Sequence, residues 1–335
     1  MVPEAALWLF SQINYILSHI TASMVPEAAL WLFSGIGVGT CLHIIYQLSQ
    51  FIYPFIRSSS ITRYKHGIEP WALITGASDG IGFGFVEELC SHGFNIILHG
   101  RNEHKLSICQ AKLEKEFPDR KFRTFIFDVT QDSSKAIESF AESVKDLCLT
   151  VLVNNVGGTK GFLSVDFKPF SEHTSKEVTD LIHANLHFST QLTCALLPNL
   201  TTHQPSLIIS TGSASDTGMP YLSVYTGTKA FISAWSNALA MEFEAEGVQI
   251  EVLACLSGTT QSNQNRTKES VTNPSARTFA RASLRMVGGS RTVGTAWWMH
   301  AVLRGSMGLF PASISKWAII GFMRPMKGKM LSDRG

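Results

Sequence analysis

The sequence predicts an α/β chain in which a doubly wound parallel sheet follows an apolar membrane helix and precedes an apolar C-terminal extension. Two observations carry the sheet. Short apolar runs recur at Trp71–Thr75, Phe94–Gly100, Phe125–Asp128, Val151–Asn154, Leu207–Ser213 and Gln249–Ala254, separated by helical patterns. The first run ends in a glycine turn, Gly76-Ala-Ser-Asp-Gly80-Ile-Gly82, which opens a helical pattern through Val86, Leu89 and Cys90. The distribution of charge carries the flanking segments. Charged residues are 16% of the 335, against roughly 25% in an ordinary soluble domain. Residues 1–56 hold only Glu4 and Glu27, residues 57–180 hold 32 charges, and residues 181–335 hold 20.

Composition excludes several classes. With 45% hydrophobic residues there is ample material for a core, so disorder is out. The 26 Gly and 12 Pro follow no period, which excludes collagen-like architecture. Six scattered cysteines without a CxxC pair signal neither a disulfide framework nor a zinc site. The net charge of +2 hides a segregation: Ser270–Ser332 carries nine Arg or Lys and no acid, so the remainder nets −7. An anionic neighbour for the C-terminal part is the expectation.

Four regions follow from these patterns: residues 1–56 as membrane segment, 57–70 as a basic linker, 71–295 as the enzyme domain with a lid near 259–290, and 296–335 as a basic, aromatic-rich extension. Ala28–Ile56 runs without a formal charge for longer than the roughly 20 residues a bilayer requires. Arg57, Arg63 and Lys65 follow directly, which places the large domain on the cytosolic side. A buried amphipathic helix is the alternative. MVPEAALWLFS occurs at Met1–Ser11 and again, undiverged, at Met24–Ser34. Solenoid repeats diverge and run to several units; the expectation is that Met24 is the natural start, and a native peptide covering Ile13–His19 refutes it.

Strand, glycine turn and helix together make a phosphate cradle: close backbone approach at the turn and a helix N-terminus for the charge. Gly76, Ser78, Asp79, Gly80, Ile81 and Gly82 are its candidate residues. The second run ends in Arg101 rather than in an acid that would hold a ribose 2′-hydroxyl. An Arg there suits a 2′-phosphate, which favours NADPH as cofactor over NADH; the alternative is a solvated Arg on a turn. Asp128 ends the third run, where an adenine would lie, and Asn154 ends the fourth.

The fifth run ends in hydroxyls, and Tyr225-Thr-Gly-Thr-Lys229 follows. Tyr and Lys at this spacing share a helix face. Free Tyr has a pKa near 10, and a neighbouring ammonium favours the phenolate, which makes proton exchange near neutrality faster. The order of the motifs, each at a strand's carboxyl end, carries more weight than any one of them.

On these residues the stretch Trp71–Gly258 resembles the short-chain dehydrogenase/reductase family. The resemblance implies that Tyr225 donates the proton and Lys229 holds the nicotinamide ribose. It implies that Asn185 orders a relay water and Ser213 polarises the carbonyl. Ser213 stands one residue closer to Tyr225 than is usual in the family, so Ser210 and Thr211 remain rivals. Ser257-Gly258 replaces the usual Pro-Gly. A closer resemblance is to the membrane-bound branch of very-long-chain 3-oxoacyl-CoA reductases and 17-beta-hydroxysteroid dehydrogenases. It rests on Arg63-Tyr64, TGASDGIG, HGRNEHKL, NNVG, Tyr225–Phe231 and the tail pattern around Pro274, Gly288 and His300. That likeness implies endoplasmic-reticulum residence, fatty acid elongation and a possible homodimer.

The functional expectation is NADPH-dependent reduction of a lipophilic ketone, first a long-chain 3-oxoacyl-CoA, with steroid or polyketide-type ketones as runner-up. A non-catalytic membrane scaffold is the reading from another class. Arg277, Arg281 and Arg285 recur every four residues as a basic stripe, either solvated or facing lipid headgroups or CoA phosphates. The aromatic tail either lies in a membrane interface or completes the core. Membrane lipids are thus expected partners. Nucleic acid is not, since the basic residues sit in an apolar tail.

Overall fold

The computed structural model describes residues 8, 11–16, 27–131, 134–159, 163, 166–262, 265 and 267–329. The chain divides into two compact units, Met1–Ile56 and Arg57–Gly335. In the first unit a helix, α1, spans Glu27–Ile56, and Ala29–Ile56 is long and apolar enough to cross a membrane. Its side chains are exposed along nearly the whole length. The first copy of the repeated undecapeptide, apart from Trp8 and Ser11, and Met24 itself lie outside the described residues.

The second unit holds a seven-stranded parallel sheet in the order β3-β2-β1-β4-β5-β6-β7. The strands are β1 Pro70–Ile74, β2 Asn95–Gly100, β3 Phe122–Ile126, β4 Cys148–Asn154, β5 Ser206–Ser213, β6 Ile250–Ser257 and β7 Val293–Thr295. Helices α2 Gly80–Ser91, α3 Glu103–Glu116 and α4 Ser134–Ser143 follow the first three strands, and α5 Ser175–Ile182 follows β4. Next come α6 Phe188–Thr202, α7 Ser223–Ala245 and α8 Ala276–Met286. Helices α9 Trp298–Met307 and α10 Ala312–Met323 close the chain. Strand order reverses between β1 and β4, and a crevice opens at the carboxyl ends of such strands.

Helices cover both faces of the sheet, so its central strands are apolar throughout. Every residue of β1, β2 and β5 is buried. Consecutive side chains go to opposite layers. Ile74, Ile96, Val153 and Ile209 pack with α2 and α8, whereas Leu73, Ile97, Leu152 and Ile208 pack with α4 and α6. Strand β3 is an edge, which explains why it tolerates Arg123 and Thr124 and starts three residues before the apolar run from Phe125 that the sequence shows.

Three expectations change. The segment before β1 is not a loose linker: Ile61 and Tyr64 are fully buried in the core, and the Arg57 guanidinium donates to the Gly288 carbonyl at 2.9 Å. The short strand β7 has no sequence signature of its own; it exists because β6 offers an edge. The C-terminal half of the expected lid is a core element, since α8 buries Phe279, Ala280 and Leu284. Its stripe is partly engaged within the chain. Arg277 donates to the Glu88 carboxylate of α2 at 2.8 Å and Arg281 at 2.9 Å, and the Glu88 side chain is only 4% exposed. A buried carboxylate requires such partners, and two of the three arginines supply them while remaining part exposed.

Candidate active site

A cleft of about 410 Å³ opens at the carboxyl ends of the strands, where the order reverses. The glycine turn forms one wall. Asp79 caps α2, its Oδ1 accepting from Gly80 N–H at 2.6 Å, and Gly76, Ser78, Gly80 and Ile81 line the cleft beside it. Gly82 faces away from the cleft. A Cβ there would stand 2.2 Å from the Gly76 carbonyl oxygen, so this glycine lets helix and turn approach each other.

Arg101 lines the outer end of the cleft, joined by Lys105 from the first turn of α3. Asn102 caps that helix by accepting from Lys105 N–H at 2.9 Å, which fixes the turn that bears both cations. Asp128 sits two residues past β3, and its Oδ1 accepts from both the amide and the hydroxyl of Thr130. His99, a lining residue sequence reasoning passed over, stacks on Phe188 at 4.8 Å. Its Nδ1 accepts from Gly76 N–H at 3.4 Å. Burial pushes its pKa down to about 3, so it is a neutral ring at working pH.

The end of β4 requires a correction. Asn154 is buried and its amide donates to Thr193 Oγ1 on α6 at 2.9 Å, away from the cleft. The next residue points the other way, as strand alternation demands. Asn155 lines the cleft; its amide nitrogen donates to the Thr75 carbonyl at 3.1 Å and its oxygen accepts from Thr211 Oγ1 at 3.1 Å. The Thr75 hydroxyl in turn accepts from Asn155 N–H and Val156 N–H. Of the two adjacent asparagines, only Asn155 reaches the crevice.

Tyr225 and Lys229 lie one turn apart on α7, and both line the cleft. The Lys229 ammonium stands 5.7 Å from the Tyr225 ring centroid and donates to the Thr211 carbonyl at 2.9 Å. Burial pushes the Lys229 pKa down to about 8. Burial raises the Tyr225 phenol, and a hydrogen bond with Ser213 opposes that rise in part. The three rival hydroxyls stand in different surroundings, and of them Thr211 lines the cleft. Thr211 Oγ1 is engaged with Asn155, and Ser210 Oγ is buried without a partner, whereas Ser213 meets both Tyr225 and Ser215 Oγ, the latter at 2.8 Å.

Asn185 sits in a π-helical segment, His183–His187, between α5 and α6. Such bulges recur at functional sites because they redirect one side chain. Here Asn185 Oδ1 accepts from Gly158 N–H at 2.8 Å and its amide donates to the Gly158 carbonyl at 2.9 Å. A Cβ on Gly157 would stand 2.5 Å from that Oδ1 and 3.5 Å from Lys229 Nζ, so only glycine lets these two groups approach. No cue in the sequence announces the π-segment.

Two side chains of α9 hold the segments that follow β5 and β6. His300 of α9 accepts from Gly258 N–H at Nδ1 and is bonded through Nε2 to the Thr272 carbonyl at 3.1 Å. Arg304 donates to the Ala214 carbonyl at 3.1 Å and to Asp216.

Comparison with known proteins agrees with this geometry. Residues 70–271 match the model of the short chain dehydrogenase family. The chain is similar to a very-long-chain 3-oxoacyl-CoA reductase of Neurospora crassa, 34% identical over 280 residues, covering 80% of this chain and 82% of that protein. A very-long-chain 3-oxoacyl-CoA reductase of Meyerozyma guilliermondii is 35% identical over 250 residues, covering 70% and 71%. Among solved structures, a short-chain dehydrogenase from Sphingobium yanoikuyae in complex with NADPH superposes with a TM-score of 0.58 at 25% identity, covering 72% of this chain and 97% of that one.

Proposed function

The chain belongs to the short-chain dehydrogenase/reductase family, and from that premise we propose that it reduces the 3-keto group of a long-chain 3-oxoacyl-CoA with NADPH, at a membrane. The observation that carries the chemistry is the placement of Tyr225 and Lys229 one turn apart on the cleft wall, with Lys229 held by the Thr211 carbonyl and Ser213 at the end of the neighbouring strand β5. The reaction class, ketoreduction by a nicotinamide-dependent enzyme, is that of its relatives.

The cleft suits a dinucleotide. A backbone turn at a helix N-terminus would hold the pyrophosphate, and Arg101 with Lys105 would supply two cations for a 2′-phosphate. When bound, the nicotinamide supplies the hydride that the carbonyl carbon takes. The chain's own residues do the rest. Ser213 donates a hydrogen bond to the carbonyl oxygen and polarises it. Tyr225 gives that oxygen its proton, and the raised phenol keeps the proton available at neutral pH, which suits reduction. Lys229 returns positive charge to the phenolate that Tyr225 becomes. Asn185, fixed on Gly158 beside Gly157, orders water for reprotonation through Lys229.

The acyl-CoA reading rests on the reductases the chain is similar to. The apolar helix Ala29–Ile56 supports membrane residence, with the endoplasmic reticulum as the membrane and the catalytic unit in the cytosol. The test is NADPH oxidation by full-length protein in detergent with a long-chain 3-oxoacyl-CoA against a steroid ketone. Turnover of the thioester alone is the expected result. Turnover of the steroid alone assigns the runner-up, and turnover of neither refutes the substrate assignment.

A further inference from the structure

We infer that α9, α10 and the turn between them form a second membrane contact, a face that lies in the headgroup–acyl boundary of an anionic leaflet beside the substrate mouth. The inference rests on the reading of a membrane-resident enzyme with a lipophilic substrate, and adds a surface which that reading does not require.

The face is apolar and uncovered. Leu309 is 84% exposed, Trp317 77%, Phe322 63% and Phe310 57%. Helix α10 carries Lys316 as its sole charge and buries only Met323. A surface helix of a soluble domain turns its polar side outward; this one turns aromatic and aliphatic side chains outward on most of its circumference, and contiguous patches of that kind mark interaction sites.

Its charge selects the occupant. From Ser270 to Ser332 every charged residue is basic, and Lys316, Arg324 and Lys329 are exposed. Apolar helices with Trp and basic punctuation partition into the interface of anionic membranes, where the ring lies at headgroup depth and each cation strengthens the attachment. A two-fold contact with a second copy would set this patch against itself, with Lys316, Arg324 and Lys329 facing the same cations of the other copy.

Its position gives the contact a purpose. At the α9 end, Arg304 is bonded to the carbonyl of Ala214, the residue after Ser213. Past α10, Gly328 N–H donates to the Phe167 carbonyl at 2.9 Å, and the adjoining Lys168 N–H donates to the carbonyl of Tyr221 at 3.0 Å. Tyr221 opens the approach to Tyr225 and holds a strained left-handed backbone, φ 67°. Both ends of the helical pair are thus stitched to the segments that flank Ser213 and Tyr225, and an acyl chain leaving the leaflet at this face meets the catalytic wall without crossing water.

The test uses full-length protein in phosphatidylcholine/phosphatidylserine vesicles whose acyl chains are brominated close to the headgroups. The emission of Trp317 is read as wild type minus Trp317→Phe. Loss of most of that emission to bromine, diminished in the Lys316→Glu/Arg324→Glu variant, is the expected result. Trp317 emission quenched by aqueous iodide and untouched by bromine overturns the inference. So does shielding from both quenchers, which assigns the face to a second copy. The readout does not depend on turnover, so failure of the substrate assay leaves it intact, and an active enzyme with an unquenched Trp317 refutes this contact alone.

Discussion

The ammonium of Lys229 donates to the carbonyl of Thr211 at 2.9 Å, a bond that joins the catalytic helix to the strand bearing Ser213. Its consequence is a pH dependence. Burial lowers Lys229 to about 8 from an ordinary value of 10.5, so the ammonium is lost as pH rises through about 8. Tyr225, shifted upward, keeps its proton over that range. We expect reductive kcat/KM to fall above about pH 8 through Lys229 rather than through Tyr225. For folding the sign is the reverse: between 8 and 10.5 the unfolded chain binds the extra proton, so Lys229 by itself makes the fold more stable as pH rises. A flat rate profile across that window refutes the assignment.

Tyr225→Phe removes the proton donor and keeps the ring. Turnover should fall by at least about a hundredfold while NADPH binding, followed by fluorescence, stays near wild type. Retained turnover would move the proton donor elsewhere.

Arg101 faces a cleft mouth it shares with Lys105. Arg101→Ala should weaken NADPH by roughly ten- to a hundredfold, the worth of one charge-assisted contact, and leave NADH almost unchanged. Equal losses for the two cofactors count against a 2′-phosphate site.

Asn154 and Asn155 separate stability from binding. Asn155→Ala removes the bonds to Thr75 and Thr211 and should cost about tenfold in cofactor affinity. Asn154→Ala strips the bond to Thr193 and should lower stability by about 1–2 kcal/mol with cofactor affinity retained. Isothermal titration and chemical unfolding of both variants read the two effects apart.

Glu88 ties α2 to α8. Burial pushes its carboxyl upward, yet the hydrogen bonds and charges of Arg281 and Arg277 outweigh that and hold it below its ordinary value. Its contribution is therefore present above about pH 4.5 and lost as pH falls below that. Glu88→Gln should lower the urea midpoint at neutral pH and flatten the decline on acidification. An unchanged acid limb sinks this account.

Much of the molecule was legible before any coordinates. Alternating apolar runs and the glycine turn mark the sheet and its crevice, because parallel strands buried on both faces must be apolar and a phosphate site must expose backbone. Tyr225 and Lys229 announce themselves by sharing a helix face. The lapses lie where neighbours distant in sequence decide. Nothing local says which of Asn154 and Asn155 turns to the crevice, since one residue's shift in register exchanges the two faces. His99 reads as a strand residue until Phe188 and Gly76 close on it. The arginine stripe of α8 reads as surface because its counter-charge, Glu88, lies almost two hundred residues away.

The scarcity of charge divides along the same line. Fold class, the pairing of Tyr225 with Lys229 and a charge content too low for an ordinary soluble protein can be read along the chain, since periodicity and composition are local properties. Where that apolar material goes depends on the packed fold. Residues 181–228, with Asp216 as sole charge, include the fully buried strand β5 that bears Ser213, while the apolar α10, with Lys316 as its one charge, stays uncovered. Burial depends on what packs opposite, and packing partners are set by the fold rather than by the residues beside them in the chain.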